Sequence, residues 1–356
     1  MDMSIAKFPS ITTGLKRHRA GAFVLVNHEN SGQPNTRYLS GFTGSESIVL
    51  ITPHRRFIIT DGRYLSQARD ETKSFEIIPT GKHGYMGVFA DLVKRLRIRS
   101  ILIDPSRTYY SFIVRLREQV PNLLIRHESD MLQRVRMIKT PAEIVLIKKS
   151  VRIALRAFEH LMPHIREGAT ERELADRLEF FMKEAGAERI AFDTICVSGK
   201  NGAFPHGKPT SKKIRKGELV TLDFGAVYQG YNSDITRTLA VGKISDKLSD
   251  IYDAVQKAQA LGIKKTRAGI TGHEIDAVCR DYIAERGYGK YFLHGTGHGL
   301  GLEVHELPII AQESHTPLPF GAIITIEPGI YIEGLGGVRI EDDIVITKSG
   351  SIVLSK

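Results

Sequence analysis

The chain has 356 residues, of which 42% are hydrophobic and 25% charged, with two Cys and no Trp. This length predicts about two domains, and the composition excludes long disordered, fibrous or disulfide-stapled architectures. The first thirty residues contain no sustained apolar run, so we expect no secretory signal and no membrane span, and we predict a cytoplasmic protein without a membrane partner.

The net charge of +10 is concentrated at one end of the chain. Residues 1–128 carry 19 Lys and Arg against 11 Asp and Glu, which is +8 of the total. The basic runs, such as residues 94–99, alternate with apolar residues, a pattern typical of solvated faces of helices and strands. No nucleic-acid-binding motif accompanies them, so the sequence argues against a nucleic-acid partner.

The N-terminal third predicts a small α/β domain over residues 1–128. Its β-rich runs and helix-like stretches are separated by turn residues. The predicted strands are 22–27, 46–52, 56–60 and 100–104, and the predicted helices lie near 85–96 and 108–119. We expect a linker over 129–139 and a second domain over 140–356.

The second domain begins with a helix-start signal and contains a repeat. Thr140 and Glu143 form a capping box that opens a long amphipathic helix. The pattern Arg-x-Gly-x-Thr-x-x-Glu at 166–173 recurs at 267–274, an offset of 101 residues, and each copy opens a helix that stops at Gly186 or Gly287. We infer two similar halves with a cleft between them, where ligand sites are common.

Two acids lie in a predicted β-hairpin. Asp223 and Asp234 occupy β-rich segments joined at Gln229-Gly230, and with the reversal centred near Tyr228 and Gln229 they are nearly opposite each other. Two carboxylates this close repel each other unless a cation or proton lies between them, which suggests a metal site. The alternative is that one Asp faces solvent while the other caps a turn.

Three His follow within a glycine-rich run, at His294, His298 and His305. The glycines favour a loop or irregular strand, in which missing side chains let the backbone approach a ligand. A single His is usually a satisfied core or surface residue, but three in so short a run indicate a functional site.

Two further acids lie in β-rich surroundings. Glu327 ends an apolar run, and strand alternation places Arg339 and Glu341 on one face of another. A buried carboxylate needs a charge partner or a metal. The alternatives are a surface pair of Arg339 with Glu341 and a strand-end Glu327 that faces water.

This combination resembles the "pita-bread" metallopeptidases, the family of aminopeptidase P, prolidase and methionine aminopeptidase. The five ligand types occur in the family's order, and residues 36–68 are similar to the N-terminal domain of its aminopeptidase P and prolidase branch. The resemblance implies an α+β fold, in which a small creatinase/prolidase-type α/β domain precedes a pseudo-two-fold pita-bread catalytic domain. The residues that carry the resemblance are Asp223, Asp234, His298, Glu327 and Glu341, with Pro205-His206-Gly207 upstream and the pair His294 and His305.

The resemblance implies two divalent metal ions. By similarity, Asp234 and Glu341 bridge them, Asp223 completes one ion, and His298 with Glu327 completes the other. Four carboxylates and one imidazole are mostly hard oxygen ligands, which suit Mn²⁺ or Co²⁺ best, with Zn²⁺ as an alternative.

The resemblance also implies catalytic and substrate-binding roles. Glu327 is expected to accept a proton from the attacking water. His305 and His294 are expected to bond the developing oxyanion or to relay a proton to the leaving nitrogen. His206 and Arg339 are expected to line the proline or carboxylate end of the substrate.

The implied reaction is hydrolysis of the peptide bond between an N-terminal residue and proline, by a homodimer. The sequence analysis favours an Xaa-Pro aminopeptidase acting on proline-containing peptides, with an Xaa-Pro dipeptidase restricted to dipeptides as the alternative. A metal-free creatinase-like hydrolase is a rival, but all five ligand positions are intact. A rival of another class is a non-catalytic pita-bread module that binds nucleic acid or protein.

Overall fold

The computed structural model describes residues 7–28 and 33–356. The chain divides between Arg136 and Met137 into two compact units. Within the described residues, no helix has the length and apolar character needed to cross a membrane.

The N-terminal unit is built on a mixed sheet with strand order β4-β3-β2-β1-β5-β6. Its strands are β1 (Ala22–Asn27), β2 (Ser47–Ile51), β3 (Arg56–Thr60), β4 (Glu76–Pro79), β5 (Ser100–Ile103) and β6 (Leu124–His127). The predicted strands correspond to β1, β2, β3 and β5 within one residue at each end. Every residue of β1 and β2 is buried, as expected for strands in the middle of a sheet with both faces covered.

Helices cover this sheet. They are α1 (Phe8–His18), α2 (Gln33–Ser40), α3 (Leu65–Glu71), α4 (Gly84–Arg95), α5 (Tyr110–Gln119) and α6 (Met131–Arg136). The two predicted helices correspond to α4 and α5, whose buried Phe89 and Leu116 pack against the sheet. Residues 129–139, which the sequence predicts to be a linker, contain α6, and the division between the units falls after this helix.

The C-terminal unit surrounds short sheets with long helices. Its helices are α7 (Pro141–Leu161), α8 (Glu171–Glu184), α9 (Asp246–Lys265) and α10 (Gly272–Glu285). Its strands are β7 (Arg189–Ile190), β8 (Ile195–Ser198), β9 (Glu218–Phe224), β10 (Ala226–Tyr228), β11 (Tyr231–Asn232), β12 (Ile235–Val241), β13 (Gly297–Gly299), β14 (Glu306–Ile310), β15 (Ile323–Ile326), β16 (Gly329–Ile332), β17 (Gly336–Arg339), β18 (Asp342–Ile346) and β19 (Ser351–Val353). The main sheets have the orders β12-β9-β8 and β14-β13-β15-β18-β19.

The predicted helix starts are confirmed. Thr140, Thr170 and Thr271 each accept a hydrogen bond from the backbone N–H of the Glu three residues later, and each Glu side chain accepts from the Thr backbone in return. Such a box satisfies two of the amide groups that every helix start leaves without a partner.

The sequence repeat corresponds to a structural repeat. Thr170 bridges to Lys213 in one half, and Thr271 bridges to Pro317 in the other. The glycine two residues before each Thr has φ +86° in both halves. The 101-residue offset therefore marks two similar turns at equivalent places, each of which positions the helix that follows.

The hairpin differs from its prediction in register. Gln229 and Gly230 both have positive φ, 45° and 76°, so the tight turn centres between them. Asp223 therefore pairs with Thr236, and Asp234 lies two positions before that partner on the same face. The expectation that the two Asp are nearly opposite is wrong by two positions, but diagonal neighbours on one face remain within reach.

The glycine-rich run contains strand β13, between β14 and β15. A Cβ on Gly297 would lie 2.1 Å from the carbonyl oxygen of Thr325, and one on Gly299 would lie 2.2 Å from that of Leu307. An irregular strand is confirmed, because a register shift follows His298. The missing side chains of these two glycines therefore admit the backbone of neighbouring strands.

Candidate metal centre

The five predicted metal ligands meet at one place. Asp223 and His298 lie in strands β9 and β13, and the other three lie in short links directly beside strands. One ligand atom each of Asp234, His298 and Glu341 lies within 4.8 Å of the other two. Glu327 adjoins this group, because its Oε1 is 3.2 Å from His298 Nε2. Asp223 adjoins it as well, because it lines the same cavity as Asp234 and its charge contributes to the raised pKa of Asp234. Residues separated by more than a hundred positions thus converge on a single cluster.

His298 is oriented by its surroundings. Its Nδ1 lies 3.0 Å from the carbonyl oxygen of Gly299, and its backbone N–H donates to Thr325 Oγ1 at 3.0 Å. Nδ1–H donates to this carbonyl, so loss of the Nε2 proton leaves a lone pair directed into the cluster, where Nε2 lies 3.6 Å from Asp234 Oδ2. A metal-binding His is commonly held in this way.

The cluster contains carboxylate oxygens that lack a hydrogen-bond donor. Asp223 Oδ1, Glu341 Oε1 and Asp343 Oδ1 are buried and find no partner among the described residues. The other oxygen of Glu341 accepts a hydrogen bond from Thr236 Oγ1 at 2.6 Å. Because buried anionic oxygens need a positive partner, this donor set fits divalent cations.

Burial and mutual repulsion shift the pKa values of the acids in this cluster in the metal-free state. Burial, followed by the charges of neighbouring carboxylates, raises the pKa of Asp234 and Glu341 well above their usual values. Burial also favours a neutral Glu327, but the hydrogen bond and charge of His298 outweigh it and lower the pKa of Glu327 to about 2. Burial by itself would lower the pKa of His298, but the hydrogen bond and charge of Glu327 outweigh burial and raise it. Metal binding must therefore displace protons from the cluster.

We expect Glu341→Gln to stabilise the metal-free protein at pH 8. A raised carboxyl pKa means that the folded wild type loses stability as pH rises above the ordinary pKa of Glu, about 4.3, towards the raised value. The neutral amide avoids that loss and can still accept the Thr236 hydrogen bond. Thermal unfolding in chelator should show a higher midpoint for the variant at pH 8 and a smaller difference at pH 5. An equal or lower midpoint at pH 8 would contradict the assignment.

Arg339 is buried and joins the cluster through several contacts. Its Nη2 lies 2.7 Å from Asp223 Oδ2, its Nε donates to Thr236 Oγ1 at 3.0 Å, and its Nη1 donates to Tyr331 Oη at 2.9 Å. A surface pair of Arg339 with Glu341 is therefore wrong, since both are buried and Arg339 pairs with Asp223. Its guanidinium also reduces the repulsion among the acids.

A cavity of about 780 Å³ opens onto the cluster, and its lining includes Asp223, Asp234, His298, Glu327 and Arg339. This volume is in the range of small-molecule and peptide sites. Glu327 lies in this lining, but its side chain is only 17% exposed and pairs with His298. The alternative of a strand-end acid that faces water is therefore wrong.

The other predicted site residues also line this cavity. His305 is exposed, and its ring centroid is 4.3 Å from that of His298. His294 has both ring nitrogens engaged, Nε2 with Tyr331 Oη at 2.9 Å and Nδ1 with the carbonyl oxygen of Gly295 at 2.7 Å. Burial lowers the pKa of both His294 and His305. His206 is exposed at the cavity wall.

The sequence analysis missed three supporting residues. Tyr331 joins His294 to Arg339, and Thr236 joins Arg339 to Glu341. Asp343 is buried and accepts the backbone N–H of Asp234 at 3.1 Å. The only signal for Asp343 is that it belongs to a run of three acids within an apolar stretch, whereas nothing in the local sequence distinguishes Tyr331 or Thr236.

Comparisons with known proteins agree across both units. The model of metallopeptidase family M24 matches residues 145–348, and that of the creatinase/prolidase N-terminal domain matches residues 10–138. The chain is 40% identical to the Xaa-Pro dipeptidase of Pyrococcus horikoshii, over all of this chain and 98% of that protein.

Solved structures resemble the chain over nearly its whole length. The Xaa-Pro dipeptidase from Bacillus anthracis superposes with a TM-score of 0.95 and 42% identity, covering 99% of this chain and 98% of that one. The X-Pro aminopeptidase from Thermotoga maritima superposes with a TM-score of 0.90 and 40% identity, covering 97% of each chain.

Proposed function

Because the chain belongs to metallopeptidase family M24, we propose that it hydrolyses Xaa-Pro dipeptides with the help of two divalent metal ions. The predicted fold class is confirmed, with a creatinase/prolidase-type domain preceding the M24 pita-bread domain. The observation that carries the proposal is the convergence of Asp234, His298 and Glu341 beside buried, partnerless carboxylate oxygens at the cavity.

The donor set supports a dinuclear site. Asp234 and Glu341 are the proposed bridging ligands, with Asp223 on one ion and His298 and Glu327 on the other. When bound, such ions acidify water and polarise a peptide carbonyl. The preponderance of oxygen ligands favours Mn²⁺ or Co²⁺, with Zn²⁺ as an alternative.

The side chains around the cluster supply the rest of the chemistry. Glu327 holds a hydrogen bond with His298 and is proposed to accept the proton of the attacking water. His305, exposed at the cavity and beside His298, is proposed to donate to the developing oxyanion or to the leaving nitrogen. His294, whose Nε2 is hydrogen-bonded to Tyr331 Oη, is proposed to assist in the same step.

The substrate end of the site is proposed to involve His206 and Arg339. Arg339 Nη1 donates to the carbonyl oxygen of Pro205 at 3.1 Å, which tethers the segment that carries His206 to the metal cluster. Proline has no N–H and a fixed φ, so a site shaped for its ring distinguishes it from other residues. The Arg339 guanidinium is positive and the His206 ring can form a hydrogen bond, which suits the carboxylate of a dipeptide.

We rank the dipeptidase ahead of the aminopeptidase, which reverses the order favoured by the sequence analysis. The whole-chain similarity to dipeptidases from Pyrococcus horikoshii and Bacillus anthracis supports this ranking. The similarity to the Thermotoga maritima aminopeptidase keeps the second function as a candidate. A homodimer and a cytoplasmic location stay predictions. Membership of a metallopeptidase family disfavours the non-catalytic module.

We expect the Mn²⁺-reconstituted protein to hydrolyse Xaa-Pro dipeptides and the chelated protein to be inactive. Matched Xaa-Pro-Xaa tripeptides should react at least ~10-fold more slowly, because a site that recognises the carboxylate of a dipeptide rejects a peptide that continues beyond the proline. Mass spectrometry of the products measures both. Matched Xaa-Ala dipeptides serve as the control for proline recognition.

Other outcomes of this assay are equally informative. Faster release of the first residue from tripeptides would replace the dipeptidase with the aminopeptidase. Equal hydrolysis of Xaa-Ala and Xaa-Pro would refute proline specificity. Full activity in chelator, with no residual metal detected, would refute the metal-dependent mechanism itself.

A further inference from the structure

An ion pair on helix α10 holds the segment that carries His294. Asp276 is fully buried, and its Oδ2 lies 2.8 Å from Arg280 Nε, one helical turn later. Arg280 Nη2 donates to the carbonyl oxygen of His294 at 2.7 Å, and Nη1 donates to that of Phe292 at 3.1 Å. One guanidinium thus fixes the backbone at His294 and two residues before it.

The buried carboxylate of the same pair fixes the backbone on the other side of His294. Asp276 Oδ1 accepts both the N–H of Thr296 at 3.0 Å and its Oγ1–H at 2.9 Å. The carbonyl oxygen of Thr296 in turn accepts the N–H of Glu327 at 2.8 Å. The pair therefore brackets His294 and connects its segment to Glu327.

The His294 ring is also constrained by packing that begins at this pair. The Arg280 guanidinium lies over the Phe292 ring, 4.2 Å from its centroid. Phe292 meets the His294 ring edge-on, with centroids 5.3 Å apart and an interplanar angle of 90°. The ring also bonds Tyr331 Oη and the carbonyl oxygen of Gly295, and its centroid is 5.5 Å from that of the Tyr331 ring. The Phe292 ring thus lies between the guanidinium and the imidazole and contacts both.

We propose that Asp276 and Arg280 are positioning residues that hold the His294 ring in its working orientation. Neither residue lines the cavity, so each acts through His294 and not on the substrate. The inference rests on the proposed function, in which His294 assists hydrolysis. A planar, forked guanidinium is required, because it bonds a carboxylate and two carbonyls at once, whereas an ammonium offers no such fixed geometry.

The test compares Arg280→Lys with the wild type, with His294→Ala and with the double variant. Lysine keeps the charge beside buried Asp276 and so protects the fold. We expect Arg280→Lys to lower kcat for Xaa-Pro dipeptides roughly 10- to 100-fold, the cost of a small misplacement. KM and metal content should be unchanged. In the His294→Ala background the same substitution should cost almost nothing, because coupled residues are non-additive.

The matched control is Arg286→Lys. Arg286 caps the same helix but pairs with Asp250 at the surface, so activity should be unchanged. Phe292→Leu removes the ring between Arg280 and His294 while leaving the ion pair intact. It should also lower kcat, and it replaces Arg280→Lys as the test if that variant fails to fold. An unaltered kcat in both variants, or an equal loss with and without His294, would overturn the proposal.

A second measurement separates this inference from the proposed function. In the metal-free protein with ¹⁵N-labelled His, ring nitrogen shifts report the tautomer of His294, whose signal is identified by its loss in His294→Ala. We expect a single Nδ1–H tautomer in the wild type and a mixture in Arg280→Lys. An identical spectrum in both proteins would refute the positioning role. Absence of wild-type peptidase activity would refute only the proposed function.

Discussion

Replacing Glu341 with Ala is expected to remove metal and hydrolysis together. Its carboxylate lies where ligand atoms of Asp234 and His298 converge, and its Oε1 is buried without a partner among the described residues. A ligand shared by two ions serves both, so its loss weakens the whole site. Metal analysis after reconstitution and dialysis should show little bound Mn²⁺, and Xaa-Pro hydrolysis should fall to background. Asp234→Ala should behave in the same way.

The matched control for this prediction is Asp342→Asn. Asp342 directly follows Glu341, but its carboxylate faces away from the cluster, towards Arg237, Gln259 and Ser355. This variant should keep its metal and most of its activity, even if its unfolding midpoint falls. Normal metal content in both Glu341→Ala and Asp234→Ala would contradict the bridging assignment.

His305→Ala is expected to keep both metal ions and to lose most turnover. The imidazole is exposed in the cavity, beside but outside the group of predicted ligands, so its removal leaves the donor set intact. If it acts as a hydrogen-bond donor or proton relay, kcat should fall roughly 10²- to 10⁴-fold. Metal analysis and steady-state kinetics on the same sample measure the two effects separately.

His273→Ala is the control for His305→Ala. His273 lies on helix α10, is half-buried, and bonds the carbonyl oxygen of Gln312 outside the cavity. Its loss should leave kcat unchanged. A His305 variant that turns over as fast as the wild type would remove this residue from the mechanism, and one that loses metal would make it a ligand instead.

Much of the fold could be predicted from local sequence because the signals have local causes. The capping boxes at Thr140, Thr170 and Thr271 satisfy helix-start amides wherever the helix then packs. Strands β1 and β2 begin and end within one residue of their predicted bounds, because an apolar run is also a local signal. Helix α9 (Asp246–Lys265) was not predicted, because the sequence analysis identified no capping box at its start.

The residues of the candidate site could be predicted from the sequence, but the contacts between them could not. The types and order of the five predicted ligands are visible in the chain, as is the repeat that suggests a cleft. The hairpin register was not, because it depends on whether the reversal centres before or within Gln229-Gly230. The roles of the glycines in β13 depend on which strands pack beside β13, and no local sequence pattern predicts those neighbours.

By itself, then, the sequence determined the family resemblance, the two-domain organisation it implies and the set of predicted metal ligands, since residue type and spacing are local properties. Only the tertiary structure decided that Arg339 pairs with Asp223, that Tyr331 and Thr236 join the separate parts, and that Asp276 and Arg280 bracket His294. Such contacts join strands and helices far apart in the chain, so they exist only once packing has brought those elements together.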